Sequence, residues 1–475
     1  MDVDQLNIHA IVKQVLTQLH NPADELEQSL FNIKRGQDGI YPTMEEAIGA
    51  AKEAQIELLK LSIDQRKGII EAIRKAILEN LEQIARLAVS ETKLGKVADK
   101  IEKNKLAVQK TPGVEDITPK AFTGDYGLTL TEMAPYGVIG AVTPSTNPSE
   151  TVICNSIGMI AAGNAVVFNP HPGAKEVTKL TIKLINEAII KAGGPRDLLC
   201  SVENPSMETS KVMMTHPDVR VLVVTGGPQI VKIAMQTGKK VIAAGPGNPP
   251  VVVDETADIK MAARDIVDGA SFDNNVLCIA EKEVFVVETV GDALVYEMKA
   301  CGAIELTADE TQRLMQHITV VSKTGAVDVN KDYVGKDVQY ILKAIGKEVS
   351  GHIRLAITRV SKDHPLVTLE QLMPVLPVVY VKDIDEAIAL AVKAEQGNYH
   401  TAMMHSKNID HLTKMARCVN TTIFVKNAPS YSGLGFKGEG YTTFTIASPT
   451  GEGLTSAKDF TRSRRCVLKD GFKIT

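Results

Sequence analysis

Residues 136–168, YGVIGAVTPSTNPSETVICNSIGMIAAGNAVVF, decide the fold. Tyr136–Thr143 is a short run of small and branched apolar residues, which predicts a strand buried on both faces. Pro144-Ser145-Thr146-Asn147-Pro148 breaks it, Ser149–Ala162 reads as a helix, and Ala165–Phe168 reads as a second buried strand. The alternation continues downstream. Lys175–Ala192 is a long helix closed by Gly193-Gly194-Pro195. Strand Asp197–Val202, helix Met207–Thr215, strand Val219–Val224, helix Pro228–Thr237 and strand Val241–Ala244 follow. Strands rich in Val and Ile that alternate with helices imply a parallel sheet covered on both faces. Such sheets bind ligands beyond the carboxyl ends of their strands.

A second alternating region runs from Lys282 to Val425, with strand candidates Glu283–Val287, Val375–Val381, Thr401–His405 and Thr422–Val425. Tyr441–Ile446 and Cys466–Leu468 are short and strand-like. Upstream, Thr43 with Glu46 and Ser62 with Gln65 have capping-box spacing ahead of apolar-periodic segments. Ile69, Ile70, Ile73, Ile77, Leu81, Ile84 and Leu87 give the second of these a continuous face for burial.

Residues 5–19 stand apart. Ile8, Ile11, Val12, Val15, Leu16 and Leu19 recur at helix spacing in one narrow apolar stripe. Asn21-Pro22 stops that helix, and a polar stretch runs on to Tyr41-Pro42 as a linker. A short isolated helix is marginal in water. This one is expected to dock, either on its own globular body or on an outside partner.

The chain has 475 residues, of which 44% are hydrophobic and 23% charged, the mixture of a globular protein with more than one core. Lys and Arg number 53 against 57 Asp and Glu, for a formal charge of -4, and no basic stripe is present. Nucleic acid is therefore not expected as a partner. A membrane is not expected either, because no apolar run approaches the ~20 residues a bilayer requires. The opening residues lack the positive charge of a secretory signal, and the first arginine is Arg35. A cytoplasmic location is the expectation.

Six cysteines (Cys154, Cys200, Cys278, Cys301, Cys418, Cys466) lie too far apart in sequence for a C-x-x-C pair or a zinc motif. Cys154 and Cys418, in or beside helices, read as packing residues. Cys278 follows the polar Asp273-Asn274-Asn275 loop between the two alternating regions, a better place for a nucleophile. One G-x-G-x-x-G occurs, Gly433–Gly438, but strand-like sequence follows it where a dinucleotide fingerprint needs a helix. It reads as a decoy.

Several segments, in this order and spacing, resemble the aldehyde dehydrogenase superfamily over about residues 43–475. They are Pro135–Gly140 leading into Thr143–Pro148, Ala161–Val167, Thr225-Gly226-Gly227, Cys278, and Glu370-Gln371-Leu372-Met373-Pro374-Val375. The resemblance implies an α/β fold with two parallel-sheet domains, a small β oligomerisation element and the N-terminal amphipathic helix. Residues 1–20 would be an encapsulation-type helix and 21–42 a linker. Residues 43–246 would bind cofactor, with 118–135 contributing to the oligomerisation element. Residues 247–438 would form the catalytic domain and 439–475 the C-terminal oligomerisation strands.

The resemblance makes Cys278 the nucleophile, and makes the Asn147 amide and the Cys278 N–H the donors to an alkoxide. Read alone, Asn147 before Pro148 suits a turn. Glu370 matches the carboxylate that holds the nicotinamide ribose, although Met373 stands where the family has glycine. Thr143, Pro144, Asn169, His171, Pro172, Thr225, Gly226 and Gly227 complete the implied cofactor-binding set, with NAD favoured and NADP open.

Two departures point to one branch. Hydrolytic members carry a glutamate in a Glu-Leu-Gly-Gly-Lys run, and here Ala243 lies near its position in Ala243–Pro249. Water attack without a general base loses perhaps ~10²–10⁴-fold, whereas a thiol with a pKa near 8.5 is partly ionised at neutral pH. Phe168-Asn169-Pro170-His171-Pro172 resembles the Pro-His-Pro segment of coenzyme A-acylating members. His400 matches a histidine of that branch, which could orient or deprotonate the incoming thiol or be structural. Gly124–Leu130, Ala141–Pro148, Val251–Ala257 and Gly269–Lys282 resemble the propionaldehyde and acetaldehyde dehydrogenases of bacterial microcompartments. The implied reaction is short-chain aldehyde, NAD and coenzyme A giving acyl-coenzyme A and NADH. The implied partners are a second copy of the chain, as dimer or tetramer, and shell or cargo proteins met through residues 5–19. A hydrolytic dehydrogenase and an inactive microcompartment scaffold are the rivals.

Overall fold

In the computed structural model, residues 38–321, 325 and 327–472 are described. The amphipathic helix expected at residues 5–19 lies outside them.

Thr43 and Ser62 form the expected capping boxes, each side chain accepting the N–H three residues on and each partner side chain answering. The helices they start, Met44–Leu58 and Ile63–Glu79, are followed by Leu81–Thr92 and Val97–Lys110. The apolar face expected to run on through Leu87 is broken at Asn80, whose ψ of 13° leaves the helix. The Asn80 side chain donates to the Ala76 carbonyl at 2.8 Å, the local competition that favours such breaks.

The first sheet has six parallel strands, in the spatial order Ile40–Tyr41, Leu199–Val202, Ala165–Pro170, Val138–Thr143, Val219–Thr225 and Lys240–Ala244. Val138–Thr143 is buried along its whole length, as its unbroken apolar sequence requires. Helix Pro148–Ala161 is buried all round, between the sheet and the N-terminal helices.

The second sheet has seven parallel strands, centred on Val375–Val381, Glu283–Val287 and Pro250–Val253. Three of its strands, Pro250–Val253, Ala303–Leu306 and Leu355–Arg359, were not expected. Two are only four residues long and all are too short to announce a period.

Lys120–Gly124, Gly127–Pro135 and Thr461–Lys469 make a three-stranded antiparallel sheet. It presents Phe122, Val467 and Leu468 to the surface, each about half exposed. Tyr441–Ile446 is mostly not a strand. Thr443 and Phe444 sit in irregular chain, and only Ile446–Ala447 pairs, with Gly453–Leu454. That loop returns to the first sheet, where Thr450 Oγ1 accepts the Ala243 N–H at 3.0 Å.

Candidate active site

Strands Val138–Thr143, Ala165–Pro170, Val219–Thr225 and Lys240–Ala244 end at one cavity of about 380 Å³. Its far wall comes from the second region: Val276, Leu277 and Cys278, then Glu370 and Leu372. Of the predicted residues, the cavity gathers Cys278, Asn147, Thr143, Pro144, Asn169, His171, Pro172, Thr225, Gly226, Gly227 and Glu370. His400 is not among its lining residues.

Cys278 is partly exposed, while Cys154 and Cys200 are buried. Cys154 accepts the Thr111 hydroxyl at 3.0 Å, as a packing residue can. Cys418, expected to pack, is exposed on helix Ile409–Val419 because the buried stripe there is Leu412, Met415 and Val419. Burial pushes the Cys278 thiol up to about 12, and the Glu370 carboxylate adds to that, while Lys282 and Lys103 oppose it. Lys282 is itself wholly buried and donates to the carbonyl and side-chain oxygens of Asn275 and to the Leu277 carbonyl. Burial lowers the Lys282 amine below its ordinary value, with Glu370 and Cys278 opposing. Glu370 is raised by burial, opposed by Lys282 and by the Gly247 N–H. It is the sole carboxylate lining the cavity among the described residues. Ala243 is buried at the strand end and brings no ionisable group.

Asn147 caps helix Pro148–Ala161 without accepting from its first turn. Its Oδ1 instead accepts from Lys103 Nζ at 2.5 Å, and its Nδ2 donates to Thr146 Oγ1 at 3.2 Å. The amide thus presents its donor end to the cavity.

Several lining groups suit a dinucleotide. Thr143 Oγ1 is buried without a hydrogen-bond partner. Gly227 caps helix Pro228–Met235 with no side-chain cap, leaving first-turn N–H groups for an anion. Thr225 is paired with the Thr445 hydroxyl at 2.9 Å. Asn169 plays another part. Its amide donates to Ser210 Oγ at 2.6 Å and to the Ser206 carbonyl at 3.3 Å, while its Oδ1 accepts from Thr209. It pins helix Met207–Thr215 to the strand end and has no amide hydrogen left for a ligand.

Leu372 adopts a left-handed φ of 51°. Met373, where the resemblance implies glycine, does not, and its side chain fills the core at 1% exposure. Glycine is therefore not required there.

His400 lies behind Gly247. A Cβ at 247 would come 2.7 Å from the Cys278 carbonyl oxygen and 3.0 Å from His400 Cγ. Thr401 Oγ1 pairs with His400 Nδ1 at 2.9 Å, Nε2 is buried without a partner, and burial with nearby Lys282 lowers the imidazole to about 4. It is neutral at ordinary pH, with one nitrogen unused. No helix directly follows the Gly433–Gly438 motif, and its Gly435 and Gly438 carbonyls both accept from Lys110 Nζ at 2.6 Å.

Sequence reading missed the cluster beneath this site: Lys100, Lys103, Glu150 and Asp273, all within 1% of full burial. The signal was present only as Lys100 and Lys103 sharing a helix face, which ordinarily means solvent.

The family model for the aldehyde dehydrogenase family matches residues 17–447. The chain is 47% identical over 477 residues to acetaldehyde dehydrogenase (acetylating) EutE of Salmonella typhimurium, covering 99% of this chain and 100% of that protein. The propionaldehyde dehydrogenase of Rhodopseudomonas palustris with bound CoA and an acylated cysteine superposes with a TM-score of 0.89 at 50% identity, covering 92% and 99% of the two chains. The propionaldehyde dehydrogenase of the Clostridium phytofermentans fucose utilisation bacterial microcompartment gives 0.90 at 51%, covering 92% and 100%.

Proposed function

We infer the function from one premise: the chain belongs to the aldehyde dehydrogenase family. It is a CoA-acylating member, converting a short-chain aldehyde, NAD and CoA to acyl-CoA and NADH through a thioester on Cys278. The observation that carries this is the company Cys278 keeps. It shares a cavity with the donor end of the Asn147 amide and with one carboxylate, and the position that would activate water is alanine.

The Cys278 thiol gives its proton to solvent and its sulfur adds to the aldehyde carbon, and the resulting alkoxide takes hydrogen bonds from Asn147 Nδ2 and the Cys278 N–H. Each such donor is worth about 3–4 kcal/mol of barrier. Thr143, the Gly226-Gly227 turn and Glu370 are the residues suited to hold NAD, which supplies the hydride acceptor. The acyl group then rests on Cys278 until the CoA thiolate attacks the thioester carbon and the Cys278 sulfur leaves. Neutral His400, one residue layer behind Gly247, positions that loop.

Residues 43–246 serve as the cofactor domain and 247–438 as the catalytic domain. The apolar surface of the three-stranded sheet, built from 118–135 and the end of 439–475, joins copies of the chain into a dimer or tetramer. Residues 1–20 direct the enzyme into a bacterial microcompartment within the cytoplasm, in keeping with relatives from such compartments.

The test is NADH formation from propionaldehyde and NAD with and without CoA. Rapid turnover is expected only with the thiol. Equal rates without it would establish the hydrolytic rival, and no reaction under either condition the scaffold.

A further inference from the structure

We propose that Lys103 is the positioning residue of the alkoxide site, turning the donor end of the Asn147 amide toward it. This rests on the assignment of Asn147 and Cys278 above.

The helix Val97–Lys110 is polar in sequence, yet Lys100 is 0% and Lys103 1% exposed. Lys103 Nζ reaches Asn147 Oδ1 at 2.5 Å, Asp273 Oδ2 at 2.5 Å and Glu150 Oε1 at 3.2 Å. Lys100 Nζ donates to Asp273 Oδ2 at 3.1 Å and to the Thr146 carbonyl at 3.0 Å. Burial opposes charge on Lys103, but Asp273 and Glu150 outweigh it and keep the ammonium. A buried charge cluster is a poor source of stability, because desolvation consumes most of the attraction. It is a good way to fix orientation.

The orientation at stake is that of an amide. Turned end for end, an asparagine side chain keeps almost the same shape while its carbonyl and NH₂ trade places. An ammonium has donors only, so Lys103 donates to the carbonyl end alone and the NH₂ must face away. One of its hydrogens goes to Thr146 Oγ1, and the other is left for the cavity that Asn147 lines. Lys103 thereby selects the catalytic rotamer.

Asp273, the carboxylate that holds Lys103, is itself fixed in place. Asp273, Asn274 and Asn275 have φ of 47°, 53° and 65°, three successive left-handed residues without a glycine. The strain is held from several sides. Asp273 Oδ1 accepts the Lys96 N–H at 2.8 Å, and the Asp273 N–H is accepted by Asp99. Asn274 donates to Gly335 and Asp337, and Asn275 to Ala270 and Glu281. This turn leads directly into Val276-Leu277-Cys278 and fixes the carboxylate that holds Lys103.

The experiment is a double-variant cycle read by the NADH burst with propionaldehyde, NAD and CoA. Lys103→Met is expected to lower kcat about 10²-fold, as loss of one such donor does, with KM within about threefold. Combined with Asn147→Ala, it should add nothing to the loss of Asn147→Ala alone. Iodoacetamide labelling of Cys278 should fall far less than kcat. Lys103→Arg, which keeps the cation but moves the donor, serves if the methionine variant does not fold; its smaller loss must also vanish beside Asn147→Ala. Additive losses overturn the proposal, as does labelling that falls in step with kcat, since Lys103 would then act on the thiol. Full turnover by Asn147→Ala overturns the underlying site assignment, and this proposal with it.

Discussion

Glu281 grips Ser430 with both oxygens: Oε1 accepts the Ser430 N–H and Oε2 the Ser430 hydroxyl, each at 2.8 Å. The pair ties the chain three residues beyond the nucleophile to the turn Ser430–Leu434, whose last residue lines the cavity. The carboxyl group is buried against helix Ile259–Ser271, where a Cβ on Gly269 would lie 2.1 Å from Oε1.

Burial raises that carboxyl to about 7, against the hydrogen bonds from Ser430 and the charge of Lys282. A carboxyl whose folded pKa is raised favours folding below its unfolded value and loses that advantage as pH climbs through the folded one. The protein is expected to lose up to about 3 kcal/mol between pH 4.5 and 8 through this group alone. Thermal unfolding of Glu281→Gln across that range should show a flatter profile and a higher midpoint than wild type at pH 8.

Cys278→Ala should abolish NADH formation while leaving NAD binding within about twofold, since the cofactor-side wall is untouched. Mass spectrometry of wild type trapped with aldehyde and NAD should find the acyl adduct on the Cys278 peptide. Retained turnover, or an adduct elsewhere, would refute the nucleophile.

Lys282→Met removes the buried amine beneath the cysteine loop and orphans the carbonyl and side-chain oxygens of Asn275, while the Leu277 carbonyl keeps the Ala280 N–H. The thiol pKa should rise, slowing iodoacetamide labelling at pH 8 about tenfold for each pH unit of displacement. The labelling-rate profile against pH would move to higher pH; an unmoved profile would remove Lys282 from thiol activation.

Gly247→Ala places a methyl group between the Cys278 carbonyl and the His400 ring, where the space is under 3 Å on one side. Moving the nucleophile by about 1 Å costs on the order of 10²-fold in rate. The expectation is a lower kcat, checked by steady-state kinetics.

Deleting residues 1–20 should leave specific activity intact and abolish co-purification with microcompartment shell proteins. Equal recovery of the truncated enzyme with the shells would count against the targeting role.

The parallel α/β architecture is legible along the chain, because buried strands such as Val138–Thr143 and Val375–Val381 must be apolar throughout and their helices must repeat at 3.6. Every site residue named from the sequence except His400 lines the cavity, since those side chains sit in short segments whose order marks the family. Long-range burial was beyond the reach of the sequence. Lys100, Lys103 and Lys282 look like solvated charges along the chain, and only packing reveals the carboxylates and carbonyls that make their burial tolerable. The same holds for Asn169, which lines the cavity yet spends its amide on the wall, and for His400, which stands behind Gly247 rather than in the pocket. A side chain's partners lie tens to hundreds of residues away, and no local pattern records which way it will be turned when they meet.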